Sequence, residues 1–245
     1  MNVKTLLLIG TLLTGCIVST GCRVVQDKRP TGFLKPLDAG ANSKPGASLG
    51  SDLSEREICL ETAKLVAANG HAVEAMKLYE KAERLGPDKE RFDLELAPLY
   101  VHVGQTDAAI TRYRNVIARG QANDEVFNNL AWTLLESGRH AEAMKTIQQG
   151  LVVAPESNRL QATHAVLLYQ SGDREGAFTK FSELYGESAG HHNLALLDLE
   201  SDKLISAFEH ASLAASFSDC LEQSIKLRDT LQTRLATAGQ PPKVR

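Results

Sequence analysis

Several kinds of chemistry have no foothold in this chain. Four cysteines occur, Cys16, Cys22, Cys59 and Cys220, and no two are spaced as Cys-x-x-Cys, so zinc-ribbon and thioredoxin readings have no support. The phosphate-cradling glycine motifs GxGxxG and GxxxxGK[ST] are absent too. The histidine doublet is His191-His192, and neighbours on a helix point about 100° apart, so the two cannot share a metal as an i, i+4 pair could. A loop or helix-start position is expected for them. Carboxylates are plentiful but follow solvated helix faces. No catalytic residue, metal site or cofactor is expected, and the chain does not read as an enzyme. Aromatic residues are scarce at 5%, with Trp132 the only tryptophan. The N-terminal apolar run stops near Val18, short of the roughly 20 residues a transmembrane helix requires.

What the chain has is a period. Gly70, Gly104, Gly138 and Gly172 stand 34 residues apart. Five residues after each comes Ala75, Ala109, Ala143 or Ala177, and four further on Tyr79, Tyr113, Ile147 or Phe181. Seven residues before each glycine lies Ala63, Ala97, Ala131 or Ala165; four before lies Val66, Tyr100, Leu134 or Leu168. Apolar positions three or four apart on both sides predict two amphipathic helices per unit. The glycine supplies the left-handed turn between them, and the alanines mark where the helices cross too closely for larger side chains. Pro87 and Pro155 close the second helices of the first and third units. The second unit has Gln121 at that place and the fourth Ala189, with its second helix ending early at Tyr185-Gly186. Pro98 falls inside a first helix, where a kink or late start is expected.

The pattern resembles the tetratricopeptide repeat, a 34-residue helix–turn–helix unit. Four units match over about residues 56–191, the clearest running from Phe127 to Ser157. A degenerate fifth follows if Asp202 takes the glycine place, putting Ala195 and Ala207 in the small-residue slots. The resemblance implies an all-α, right-handed α–α superhelix of four to five hairpins. Residues 51–219 would hold the repeats and 220–237 a capping helix, with 238–245 a flexible tail. Cys59 is expected on an inward helix face and Cys220 at the start of the cap, both as free thiols.

Upstream, residues 1–15 read as a secretory signal, with Lys4 ahead of an apolar stretch. Leu13-Thr14-Gly15-Cys16 resembles the bacterial lipobox, which implies acylation of Cys16. Ser19-Thr20-Gly21-Cys22 is the alternative, with serine a poor match at the branched position. Residues 16–50 hold Pro30, Pro36 and Pro45 and no periodicity, and read as a disordered tether with a span of roughly 30 Å. Residues 23–50 carry +3, and the chain from Ser51 onward −7. A basic tether suits an anionic membrane surface, while an acidic body argues against nucleic acid as a partner. The expected place is the bacterial cell envelope, lipid-anchored on the periplasmic side of the outer membrane.

In the tetratricopeptide family the first helix of each unit lines the concave groove. Carried over by position, that assigns Glu57, Lys64, Arg91, Glu95, Glu125, Asn128, Trp132, Leu135, Arg159, Ala162 and Tyr169 to a face for a protein or peptide segment. Trp132 is either an anchor for a partner or packing between neighbouring first helices. Some relatives grip a C-terminal carboxylate with basic residues; Leu60, Glu95 and Glu125 occupy the corresponding places here, so that mode is not expected. The layout of lipobox and repeats is similar to pilus-assembly pilotins and tight-adherence pilus lipoproteins. That likeness implies a membrane-tethered scaffold in envelope, pilus or secretion-system assembly. The alternative is a docking module or accessory factor for a cell-wall-modifying enzyme.

Overall fold

The computed structural model describes residues 54–87 and 91–238. The expected secretory signal and tether, both candidate lipid sites Cys16 and Cys22, and the residues beyond 238 lie outside this range. The described residues form eleven helices and no strand: α1 Glu55–Ala68, α2 Ala72–Leu85, α3 Asp93–His102, α4 Thr106–Ala118, α5 Asp124–Glu136, α6 His140–Val153, α7 Asn158–Gln170, α8 Arg174–Tyr185, α9 Glu187–Glu200, α10 Leu204–Ser216 and α11 Glu222–Ala238. None of them is long and apolar enough to cross a membrane. Consecutive helices pair as hairpins, each hairpin packs on the next, and α11 packs on α10.

The alanine rule holds at every repeat. Ala63, Ala97, Ala131 and Ala165, and Ala75, Ala109, Ala143 and Ala177, are all fully buried. A methyl group is the largest side chain that such close helix crossings admit. Tyr79, Tyr113, Ile147 and Phe181 are buried behind them and fill the space between units.

The turn after α5 shows why glycine recurs. Gly138 has φ +78°, its N–H donates to Leu135 O at 3.0 Å, and Arg139 N–H donates to Leu134 O at 2.8 Å. These are the paired bonds of a Schellman motif, and they satisfy carbonyls that the helix end would leave open. Asp202 makes the same turn in the fifth unit. Its φ is +57°, and the bonds Asp202 N→Leu199 O and Lys203 N→Asp198 O repeat the motif. Among the described residues Asp202 is the one non-glycine with positive φ. A left-handed conformation costs a side-chain-bearing residue about 1 kcal/mol. Asp202→Gly is therefore expected to raise stability by that amount, a gain of about 2–4 °C in melting midpoint. A lower midpoint in a thermal melt would show that the aspartate contributes more than it strains.

Two departures stand out. α3 spans 10 residues where α5 and α7 span 13, starting late, and Pro98 lies inside it with no N–H to offer the Leu94 carbonyl. The fourth unit stops at Gly186, φ +88°, and α9 begins at once. Ala189 thus lies buried inside α9 rather than at a unit's close, and the fourth unit is shorter than its 34-residue frame. His191 and His192 likewise sit within α9, past its first turn, not in a loop or at the helix start. Ala195 and Ala207 are fully buried in the slots expected of a fifth unit. Cys59 is buried, and neither it nor Cys220 is disulfide-bonded.

Candidate partner-binding face

Neighbouring first helices touch one another, α3 with α5 and α5 with α7. They form the inner side of the stack, so the residues that α1, α3, α5, α7 and α9 turn away from their own hairpins line its face. In α5 these are Glu125, Asn128, Trp132 and Leu135. One repeat earlier the same places hold Arg91, Leu94, Pro98 and Val101, and one later Arg159, Ala162, Val166 and Tyr169.

The described structure divides the expected residues into two groups. Glu57, Lys64, Arg91, Glu95 and Arg159 are exposed, and Glu125, Trp132 and Leu135 are part-exposed. Asn128, Ala162 and Tyr169 are buried at 7%, 7% and 5% exposure and are engaged inside the stack. Asn128 Oδ1 accepts from Thr163 Oγ1 at 2.7 Å, a buried bond that ties α5 to α7. Tyr169 donates its hydroxyl proton to Asp198 Oδ1 at 2.7 Å and so ties α7 to α9. Neither is free to meet a partner without breaking a contact between units. Ala162 packs in the same apolar cluster as Tyr169. Trp132 packs on this cluster and is part-exposed, so packing between neighbouring first helices takes up part of its side chain.

Leu94 and Pro98 are among the face residues that escaped the sequence reading. Leu94 is 47% exposed, and Pro98 beside it is part-exposed. The signal was present: stepping back one 34-residue period from Asn128 and Trp132 lands on them. Together with Val101, Trp132 and Leu135 they give the middle of the face an apolar surface.

Some of the charges along the face are paired within the chain. Glu57 accepts from the Ser54 N–H at 2.8 Å as half of a capping box, and its bonds from Ser54 hold its carboxyl below the usual range. Lys64 Nζ pairs with Glu61 at 2.8 Å. Arg91 leans toward Glu83 at 3.5 Å and Asp93 at 3.8 Å. Behind the face, Arg112 bridges the joint between the first two units. It donates to both Glu83 oxygens at 2.7 and 3.0 Å and to Asp93 Oδ1 at 2.9 Å. Burial works against the Arg112 cation, and these bonds outweigh it, raising its pKa.

A second polar knot closes the joint between units four and five. Asp198, fully buried, accepts Arg174 through both oxygens at 2.5 and 2.7 Å, Tyr169 at 2.7 Å and Ser206 at 2.9 Å. Burial alone would raise the Asp198 carboxyl; the bonds from Arg174, Tyr169 and Ser206 hold it below its usual value. Next to the knot, His191 and His210 bring their Nδ1 atoms to 3.1 Å with rings stacked, flanked by Phe178. Among the described residues no group of three or more His, Cys, Asp or Glu side chains is placed to hold a metal ion. Both knots bind helix to helix.

The sequence model of the tetratricopeptide repeat family matches residues 100–167. No curated protein sequence matches the chain. Solved structures do. A tetratricopeptide repeat protein from Parabacteroides merdae superposes with TM-score 0.57 at 18% identity, covering 74% of this chain and 73% of that one. YrrB, a repeat protein with an unusual peptide-binding site, gives TM-score 0.53 at 14% identity, covering 73% and 90%. PilW, a widely conserved type IV pilus biogenesis factor, gives TM-score 0.53 at 18% identity, covering 76% and 89%.

Proposed function

We propose, on the premise that this chain is a tetratricopeptide-repeat solenoid, that it is a scaffold whose inner face holds an extended or helical segment of a partner protein. The observation that carries this reading is the middle of the face. Leu94, Pro98, Val101, Trp132 and Leu135 form an apolar strip, edged by Arg91, Glu95, Glu125 and Arg159. Apolar anchors inside a charged rim suit peptide capture, where a few buried aromatic or aliphatic contacts supply most of the affinity. The finer reading is a lipoprotein, acylated at Cys16, that serves envelope or pilus assembly from the periplasmic side of the outer membrane. The Leu13–Cys16 lipobox supports the anchor, and the fold shared with PilW is compatible with the process.

Trp132→Ala tests the face. Capture of the partner, assayed by crosslinking from a photoreactive group at Leu94 in intact membranes, should fall by at least about tenfold. The ring also packs on units three and four, so part of the 3–5 kcal/mol typical of a buried tryptophan, roughly 2 kcal/mol, should be lost in stability. Unchanged adducts with an intact helical spectrum would remove Trp132 from the face. A chain that starts at residue 22, or keeps Met1, in mass spectra of the mature protein would remove Cys16 as the anchor.

A further inference from the structure

The two ends of the stack are unlike each other. At the C-terminal end α11 lies over α10, burying Leu231 and Ser224. Its exposed residues are mostly polar, among them Glu222, Lys226, Asp229, Gln232 and Arg234, with Ile225 at 36% exposure the one large apolar side chain. That is the polar cover a solenoid end requires.

At the N-terminal end no described residue gives α1 such a cover. Ile58 and Leu65 lie one above the other, seven residues apart, on the side of α1 opposite its buried Cys59 and Ala63. They are 49% and 64% exposed. The chain itself shows what these two positions are for. One, two and three repeats later they recur as Phe92 and Leu99, Val126 and Thr133, and Leu160 and Leu167. Phe92 is part-buried there, and the other five are at most 6% exposed. What covers that side in units two to four is the hairpin before, whose second helix packs on the first helix that follows: α2 on α3, α4 on α5, α6 on α7. Only the first unit has no hairpin ahead of it among the described residues. The preceding sequence lacks the helical pattern of one. Residues 36–50, where its second helix would run, read PLDAGANSKPGASLG, with two prolines and three glycines and no apolar period.

We infer that this face is covered by α1 of a second copy of the chain, giving a two-fold dimer joined end to end at its N-terminal repeats. The pattern on α1 is complementary to itself. An antiparallel pair centred between Glu61 and Thr62 sets Ile58 against Leu65 of the second copy, and Leu65 against its Ile58. The same pairing brings Lys64 across from the acidic side chains Glu57 and Glu61 of the other helix. Such a contact is closed, because one surface patch meets its own image and no sticky end is left to extend a fibre. Two helices of 14 residues bury less than the roughly 800 Å² per partner of a standard interface, so the dimer is weak. It leaves the inner face of units two to four free in both copies, so each dimer presents two partner sites. This adds to the proposed scaffold function and does not depend on it.

Sedimentation equilibrium on the full chain, from about 1 to 100 µM, is the test. A monomer–dimer equilibrium is expected, with its dissociation constant raised at least about tenfold by Leu65→Glu. Ile205→Glu, at a similarly exposed position on α10, should leave it unchanged. Circular dichroism confirms that both variants fold, and Ile58→Glu replaces Leu65→Glu if that variant does not. A chain monomeric throughout the range overturns the inference and leaves the α1 face to a partner's helix or to the preceding segment. A dimer that survives Leu65→Glu, or that Ile205→Glu disrupts equally, overturns it as well. Loss of partner capture in Trp132→Ala with dimerisation intact would separate this interface from the inner face.

Discussion

On acidification from about pH 7 to about pH 4.5, the chain is expected to lose about 2.5 kcal/mol of folding stability through His192 alone. His192 is 3% exposed in α9, and its Nδ1 lies 2.9 Å from Ser224 Oγ of α11. Burial disfavours the imidazolium and pushes its pKa down to about 4. The sign follows from that depression. Above the unfolded value near 6.5 the ring is neutral in both states, and folding bears no penalty. Below it the unfolded chain takes up a proton that the native chain refuses, so stability falls until the folded pKa is reached. Three more histidines act in the same direction. Burial lowers His164, with Lys180 adding to it. Burial lowers His191 as well, reinforced by the neighbouring His210 ring, and it lowers His210 despite the nearby Asp198. Three of the four lie on α9 and α10, so the C-terminal hairpins should loosen first, while Trp132 fluorescence reports units three and four still closed. His192→Gln keeps a partner for Ser224 but cannot titrate, and it should flatten the profile. A melting midpoint that does not move between the two pH values would refute the assignment.

Asp198→Ala is expected to cost about 3 kcal/mol, taken from the low end of the range for breaking a buried ion pair because Arg174 is one-third exposed. The carboxylate gathers Arg174, Tyr169 and Ser206, three donors from three different helices. Its removal strands the Tyr169 hydroxyl and the guanidinium together, and an unpaired buried donor is more costly than a pair never made. For a domain of this size the melting midpoint should drop by about 6–12 °C. Removing Arg174 too should restore part of the loss, because the stranded cation goes with it. A drop under about 2 °C would mean that water serves these groups as well as Asp198 does.

Much of the architecture was legible in the sequence because the repeat sets one local rule many times. A glycine fixes a left-handed turn, an alanine marks a close crossing, and both are dictated within a dozen residues. Asp202 could be placed as a turn residue without a structure, since only one position in the fifth unit lies correctly between Ala195 and Ala207. The early end of the fourth unit was marked by Tyr185-Gly186 for the same reason. What lies between units was not legible. Asn128 and Tyr169 occupy places that face a groove by position, yet each has a partner 35 or 29 residues away that draws it into the stack. Whether a polar side chain meets solvent or a neighbour depends on the distance between successive first helices. That distance is the sum of contacts no single unit contains. The pairing of Arg174 with Asp198, the approach of His191 to His210 and the bare N-terminal side of α1 likewise exist only once the hairpins are stacked. The sequence determined the units and their turns, because these follow from local backbone and packing constraints. The tertiary structure decided which of their side chains remain free to bind, because that depends on what each unit finds beside it.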